Sequence, residues 1–125
     1  MPETDQFLVQ DLDEILYSLA AVRRGVGTVL AGLGRVDLCD VLLVVSELVT
    51  NAYQHGQHPR RLTLALVGRR VVRLEVADAS YRVPILGRPD RPASGRGLLL
   101  VNGVASVWGV RQHEPGKIVW AEVSY

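Results

Sequence analysis

At Gly56 the hydrophobic pattern of this chain changes period, and that switch restricts the folds open to it. Upstream, apolar residues return every three or four positions. With Glu47 at zero and about 100° per residue, Val41, Leu42, Val44, Val45, Leu48, Val49 and Ala52 fall in one arc of roughly 160°. That is a helix with one buried face. Asp37, with Asp40 three later, reads as its cap, and it runs to about His55. Gly56 is placed for a C′ cap and Pro59 for the stop. Downstream, Leu62, Leu64 and Leu66 alternate, which is the period of a half-buried strand. Gly68-Arg69-Arg70 reads as a turn and Val71–Asp78 as a second strand, so the pair predicts an antiparallel hairpin.

The flanking segments fit the same class. Asp11 with Glu14 resembles a capping box, followed by apolar periodicity through Leu33. Gly25 and Gly27 weaken that helix, and Gly32 and Gly34 end it. Ala79–Gly95 contains Pro84, Pro89 and Pro92 and reads as a loop or lid. Gly97–Ala105 predicts a short buried helix. Ser106–Gln112 and Ile118–Val123 predict two strands joined at Glu114-Pro115-Gly116-Lys117. Helices followed by runs of antiparallel strands give an α+β two-layer sandwich, with about three helices on a mostly antiparallel sheet. At 125 residues the chain is expected to be one domain, 1–125.

Composition narrows the partners. Net charge is +1, which argues against a dedicated nucleic-acid surface. Arg82, Arg88, Arg91 and Arg96 flank or punctuate the proline-rich stretch and favour an anionic ligand there; Arg23–Arg24, Arg60–Arg61 and Arg69–Arg70 read as solubilising charges. Cys39 is alone among apolar neighbours and reads as a core filler. The first ten residues are acidic and polar, unlike a signal peptide, and no apolar run reaches 18 residues. A cytoplasmic protein without a membrane span is expected.

The residues that could carry chemistry begin with Glu47 and Asn51. Four apart, they lie about 40° from each other on one helix flank, with Gln54 nearby. An acid beside an amide suits a divalent cation that keeps several waters, as Mg²⁺ does. Glu47 alone could equally be a solvated helix carboxylate, and Asn51 a capping residue, although it sits a turn early for that. Asp78 closes a strand and could simply begin a turn. Gly95-Arg96-Gly97-Leu98 opens a helix. Free backbone N–H groups there suit phosphate oxygens, and glycine lets the backbone approach closely; these could also be ordinary loop glycines. His55 and His58 have no acidic or cysteine companions, so zinc is not expected. Ser46 lies within a helix, so it is not a nucleophile elbow. Trp108 and Trp120 alternate within strands and read as core rather than cofactor contacts.

Taken in order, these segments resemble the GHKL ATP-binding superfamily, which includes gyrase, histidine kinases and anti-sigma-factor kinases. Ser46–Gly56, SELVTNAYQHG, is similar to the N box of that group. Asp78 stands where the family keeps an aspartate that hydrogen-bonds the adenine amino group. Ala79–Gly95 holds the place of the ATP lid, and Gly116–Val123, GKIVWAEV, resembles the last strand of the stand-alone anti-sigma-factor kinases. The likeness covers about residues 18–125, and it would start the first helix near Ser18 with a short strand before it. It departs at Asp78-Ala79-Ser80-Tyr81-Arg82, where the family's Asp-x-Gly-x-Gly has two glycines.

The resemblance implies a Bergerat-type fold and a small bacterial serine/threonine protein kinase of the anti-sigma-factor type. It implies ATP and Mg²⁺ as cofactors. Asn51 would ligate Mg²⁺, Glu47 would act as general base, and Asp78 would read adenine. Gly95, Arg96, Gly97 and Leu98 would line the phosphate site. The implied partners are an anti-sigma-factor antagonist protein, a sigma factor, or both, with a homodimer by analogy. The alternative is a non-catalytic module that keeps the fold and sequesters such a partner with weak or absent ATP turnover. A sensor-kinase fragment is disfavoured, since no phosphoacceptor-histidine helix pair precedes the domain.

Overall fold

A computed structural model describes residues 4–13, 18–32, 39–68, 70–80, 96–113 and 116–124. Along the chain these form β1 (Thr4–Asp11), α1 (Leu19–Gly32), α2 (Cys39–His55), β2 (Arg61–Val67) and β3 (Val71–Asp78). They continue as α3 (Arg96–Val104), β4 (Val107–His113) and β5 (Gly116–Ser124). The strands make one sheet in the order β1-β2-β3-β5-β4, each neighbouring pair antiparallel. The helices pack on the sheet, as the α+β reading expects. Helix α2 lies centrally over β3 and β5, with α1 on the β1 side and α3 on the β4 side.

Burial follows the two periods. Val22, Val26 and Leu30 of α1 are buried at four-residue steps, and Val41, Val44, Val45, Leu48, Val49 and Ala52 of α2 are buried on one arc. They close on Leu62, Leu64, Val72, Leu74, Val76, Val119, Ala121 and Val123, every second residue of the three central strands. The hairpin turns at Gly68, whose φ of 73° is cheap only for glycine.

Several expectations change here. Asp11 does not cap a helix. It ends β1, and its carboxylate accepts instead from Asp13 N–H at 2.8 Å. Helix α1 starts at Leu19, and its cap is the Ser18 hydroxyl, which accepts from Ala21 N–H at 3.2 Å. The start near Ser18 and the strand before it are what the resemblance implied. Local capping logic failed because a paired strand satisfies the backbone of Asp11. Glu14 and Asp37 lie outside the described residues. Cys39 is exposed at the first position of α2 and fills no core.

Trp120 also departs from expectation. Trp108 packs against the core and donates its indole N–H to Asn102 Oδ1 at 2.9 Å. Trp120 is out of phase with the buried residues of β5, so it faces the side of the sheet away from the helices. There Arg73 stacks on its ring at 4.4 Å and bonds Glu122 at 2.8 Å and Glu75 at 3.0 Å. Burial opposes the charge on Arg73, but the hydrogen bonds and charges of Glu75 and Glu122 outweigh it and raise the pKa of the guanidinium.

Candidate functional site

Helix α2 is the spine of the site. Glu47 and Asn51 are both half-buried on it, and one turn of helix separates them by about 6 Å along the axis. The neighbouring Ser46 hydroxyl is spent on the Leu42 carbonyl at 2.8 Å, so it offers nothing to a ligand. The last carbonyls of the helix are closed by a side chain rather than by a left-handed glycine. Arg60 Nε donates to Ala52 O at 2.7 Å and Nη2 donates to Gly56 O at 3.0 Å. The same guanidinium reaches Asp13 at 2.8 Å, which ties the end of α2 to the segment after β1. Gly56 therefore is not the expected αL cap; among the described residues, Gly68 is the glycine with positive φ.

Gly56 matters for a different reason. A Cβ on it would stand 2.7 Å from the Cγ of Asp78 and 2.9 Å from its Oδ2. The end of α2 thus rests directly against the aspartate that ends β3. Ala79 N–H donates to Gln57 O at 2.8 Å and holds the two segments together. Gly116 closes the other side: a Cβ there would fall on the carbonyl oxygen of Asp78 and the backbone of Ala79. Glycine at both positions is a requirement of space.

The Asp78 carboxylate is buried and already partnered. Ser80 N–H donates to Oδ1 at 2.7 Å. Lys117, itself only 3% exposed, places Nζ 3.0 Å from Oδ2 and 3.1 Å from Oδ1, with Ser80 O at 3.4 Å. Strand register makes this pair, because Asp78 lies directly opposite Lys117 in β3 and β5. Both side chains are in phase with the buried residues of their strands, so both emerge on the helix side.

The third part is the start of α3. The helix begins at Arg96, and Leu98 and Val101 are its buried residues. Leu98 has its side chain in the core, so its backbone N–H is the group it could offer a ligand. Gly95 and the stretch 81–95, the expected lid, lie outside the described residues.

The family model for the histidine kinase-like ATPase domain matches residues 15–123. The chain belongs to that family. No curated protein matches it. Histidine kinase-like ATPase domains bind ATP, generally with Mg²⁺, and the residues around Asp78 can be tested for fit to an adenine amino group. A carboxylate offers about four acceptor directions, and its bonds here take at most three. By this count Oδ2 keeps one acceptor direction, so its chemistry suits an amino donor. Ser80 also answers the departure from the Gly-rich pattern in part. Among the described residues no non-glycine has positive φ, so position 80 does not need glycine for its backbone.

Two residues of the site escape the sequence reading. The alternation leaves Lys117 in the Glu114–Lys117 joint, whereas the resemblance takes the last strand from Gly116, where β5 begins; neither marks the lysine as a partner of Asp78. The available signal was its phase: Lys117 alternates with Val119, Ala121 and Val123, all buried. Arg60 looked like one of a solubilising pair, and nothing local marks it as the clamp on α2.

Proposed function

We propose that this ATPase-family domain is an anti-sigma-factor-type serine/threonine protein kinase that binds and phosphorylates an antagonist protein. The observation that carries the reading is the placement along α2: an acid and an amide one turn apart on its flank, and Asp78 against its C-terminal end. Asn51 would hold Mg²⁺, with water and phosphate completing the shell, because among the described residues no three His, Cys, Asp or Glu side chains gather into a metal cluster. Asp78 would accept from the adenine amino group. Backbone N–H groups of Gly95, Arg96, Gly97 and Leu98 would hold phosphate oxygens at the positive end of α3. When bound, MgATP supplies the phosphoryl group and part of the charge compensation. Glu47 would take the proton from a serine hydroxyl of the partner. Such transfer asks mainly for positioning, so few groups suffice. The same reading brings a cytoplasmic location, a homodimer, and a sigma factor as a second partner.

One observation favours the alternative, a non-catalytic module that sequesters its partner. The carboxylate that would read adenine already carries a buried ion pair with Lys117. Glu47→Ala separates the two readings. In a kinase it should lower phosphate incorporation into the antagonist by about 10²–10⁴, the usual worth of a general base, and leave nucleotide affinity nearly unchanged. Asn51→Ala should weaken both, since it removes a metal ligand. If the parent protein binds its partner and transfers no phosphate, the sequestering module is the better description.

A further inference from the structure

Lys117 is the one buried cation of the described core, and stability alone does not explain it. Lysine is almost never fully buried unless paired, and a buried ion pair is commonly no more stable than an apolar pair of similar size. The pair stands where β3 ends and β5 begins, against the C-terminal end of α2. An ammonium has three donors. Here they meet the two Asp78 oxygens at 3.0 and 3.1 Å and Ser80 O at 3.4 Å. The last contact is the longest and the easiest to exchange. The site therefore offers one spare acceptor direction on Oδ2 beside one exchangeable donor on Nζ, the two atoms 3.0 Å apart.

We propose that Lys117 is a specificity-determining residue: while Asp78 accepts from the amino group of adenine, Lys117 donates to the ring nitrogen beside it, N1. Acid and ammonium then read two neighbouring atoms of one base edge in fixed order, acceptor next to donor. A carboxylate alone registers only the amino group. The inference rests on the nucleotide reading of the previous section and deepens it.

The test needs a ligand that differs at one atom. In 1-deaza-ATP, N1 is replaced by C–H, so the amino group stays and the acceptor is lost. Isothermal titration of the parent protein with the Mg²⁺ complexes of ATP and 1-deaza-ATP should show the analogue binding about 10- to 100-fold more weakly, the worth of a hydrogen bond to a charged group. Lys117→Met should bind the two alike, its fold checked by circular dichroism. The parent comparison stands by itself if that variant does not fold. Equal affinity for the two ligands in the parent overturns the inference, and so does discrimination that survives in Lys117→Met. Tighter ATP binding by Lys117→Met also overturns it, because the lysine would then be an occluding cation. If the parent binds ATP but does not discriminate, only this inference fails. If it binds neither ligand at millimolar concentration, the nucleotide reading fails as well.

Discussion

A Cβ at position 56 would stand 2.7 Å from both the Ala52 carbonyl oxygen and Asp78 Cγ. Neither neighbour can give easily. Ala52 O is fixed by Gly56 N–H at 3.0 Å and by Arg60 at 2.7 Å, while the carboxylate is fixed by Ser80 and Lys117. Gly56→Ala must therefore push the end of α2 and β3 apart. We expect a stability loss of about 1–3 kcal/mol, typical of overpacking, read as a lower midpoint in urea. We also expect nucleotide affinity to fall, because the carboxylate moves. An unchanged midpoint with unchanged titration heats would show that α2 and Asp78 do not touch in solution. The charge pair makes a cruder change here harder to read. Removing Asp78 leaves Lys117 buried without its counter-ion, which typically costs about 3–5 kcal/mol. Position 56 perturbs the geometry and keeps the charges.

Helix α1 offers a change of opposite sign. Gly27 lies in its interior, and a Cβ there would meet nothing within 4 Å. Glycine in a helix interior costs about 0.8–1 kcal/mol relative to alanine, so Gly27→Ala should raise Tm by about 2–5 °C. A lower Tm would mean that position 27 meets a surface absent from the monomer. Helix α1 also shows where the sequence was informative. Val22, Val26 and Leu30 carry a helical period because burial demands it, and the same holds for the arc of α2 and the alternation of the β2–β3 hairpin. Period is written by the core, so it can be read in advance. What resisted reading depends on pairing across the chain. Strand β1 carries a polar start and is secured by its register with β2. Trp120 belongs to the face away from the helices because β5 is in that phase. Lys117 meets Asp78, 39 residues away, only through the β3–β5 register. The places of Glu47 and Asn51 on a helix flank and of Asp78 at a strand end were legible because these are local facts. The partner of Asp78 was not.

At the scale of the whole domain, a ligand that binds only the folded chain stabilises all of it. For one site the gain is RT ln(1 + [L]/Kd), or about 2.7 kcal/mol when the ligand is at 100 times its dissociation constant. A domain of 125 residues should answer with a rise in Tm of about 10 °C. The useful quantity is this increment, not the absolute Tm, because the variants start from different stabilities. Asp78→Asn weakens the buried pair with Lys117 and lowers Tm before any nucleotide is added, yet the increment still reports binding alone. We expect the full increment with MgATP for the parent protein and nearly the same for Glu47→Ala, whose role falls in the transition state. Asn51→Ala should show a smaller increment with MgATP, and its difference from the parent should shrink when EDTA removes the metal. Asp78→Asn should show the smallest increment in either condition, because adenine loses the charged acceptor it meets at the end of β3. The pattern assigns Glu47 and Asn51 of α2 and Asp78 of β3 to proton, metal and base in one set of melts. A parent protein whose Tm does not move with millimolar MgATP would remove nucleotide from the account and leave a domain that has kept an ATPase fold to hold another protein.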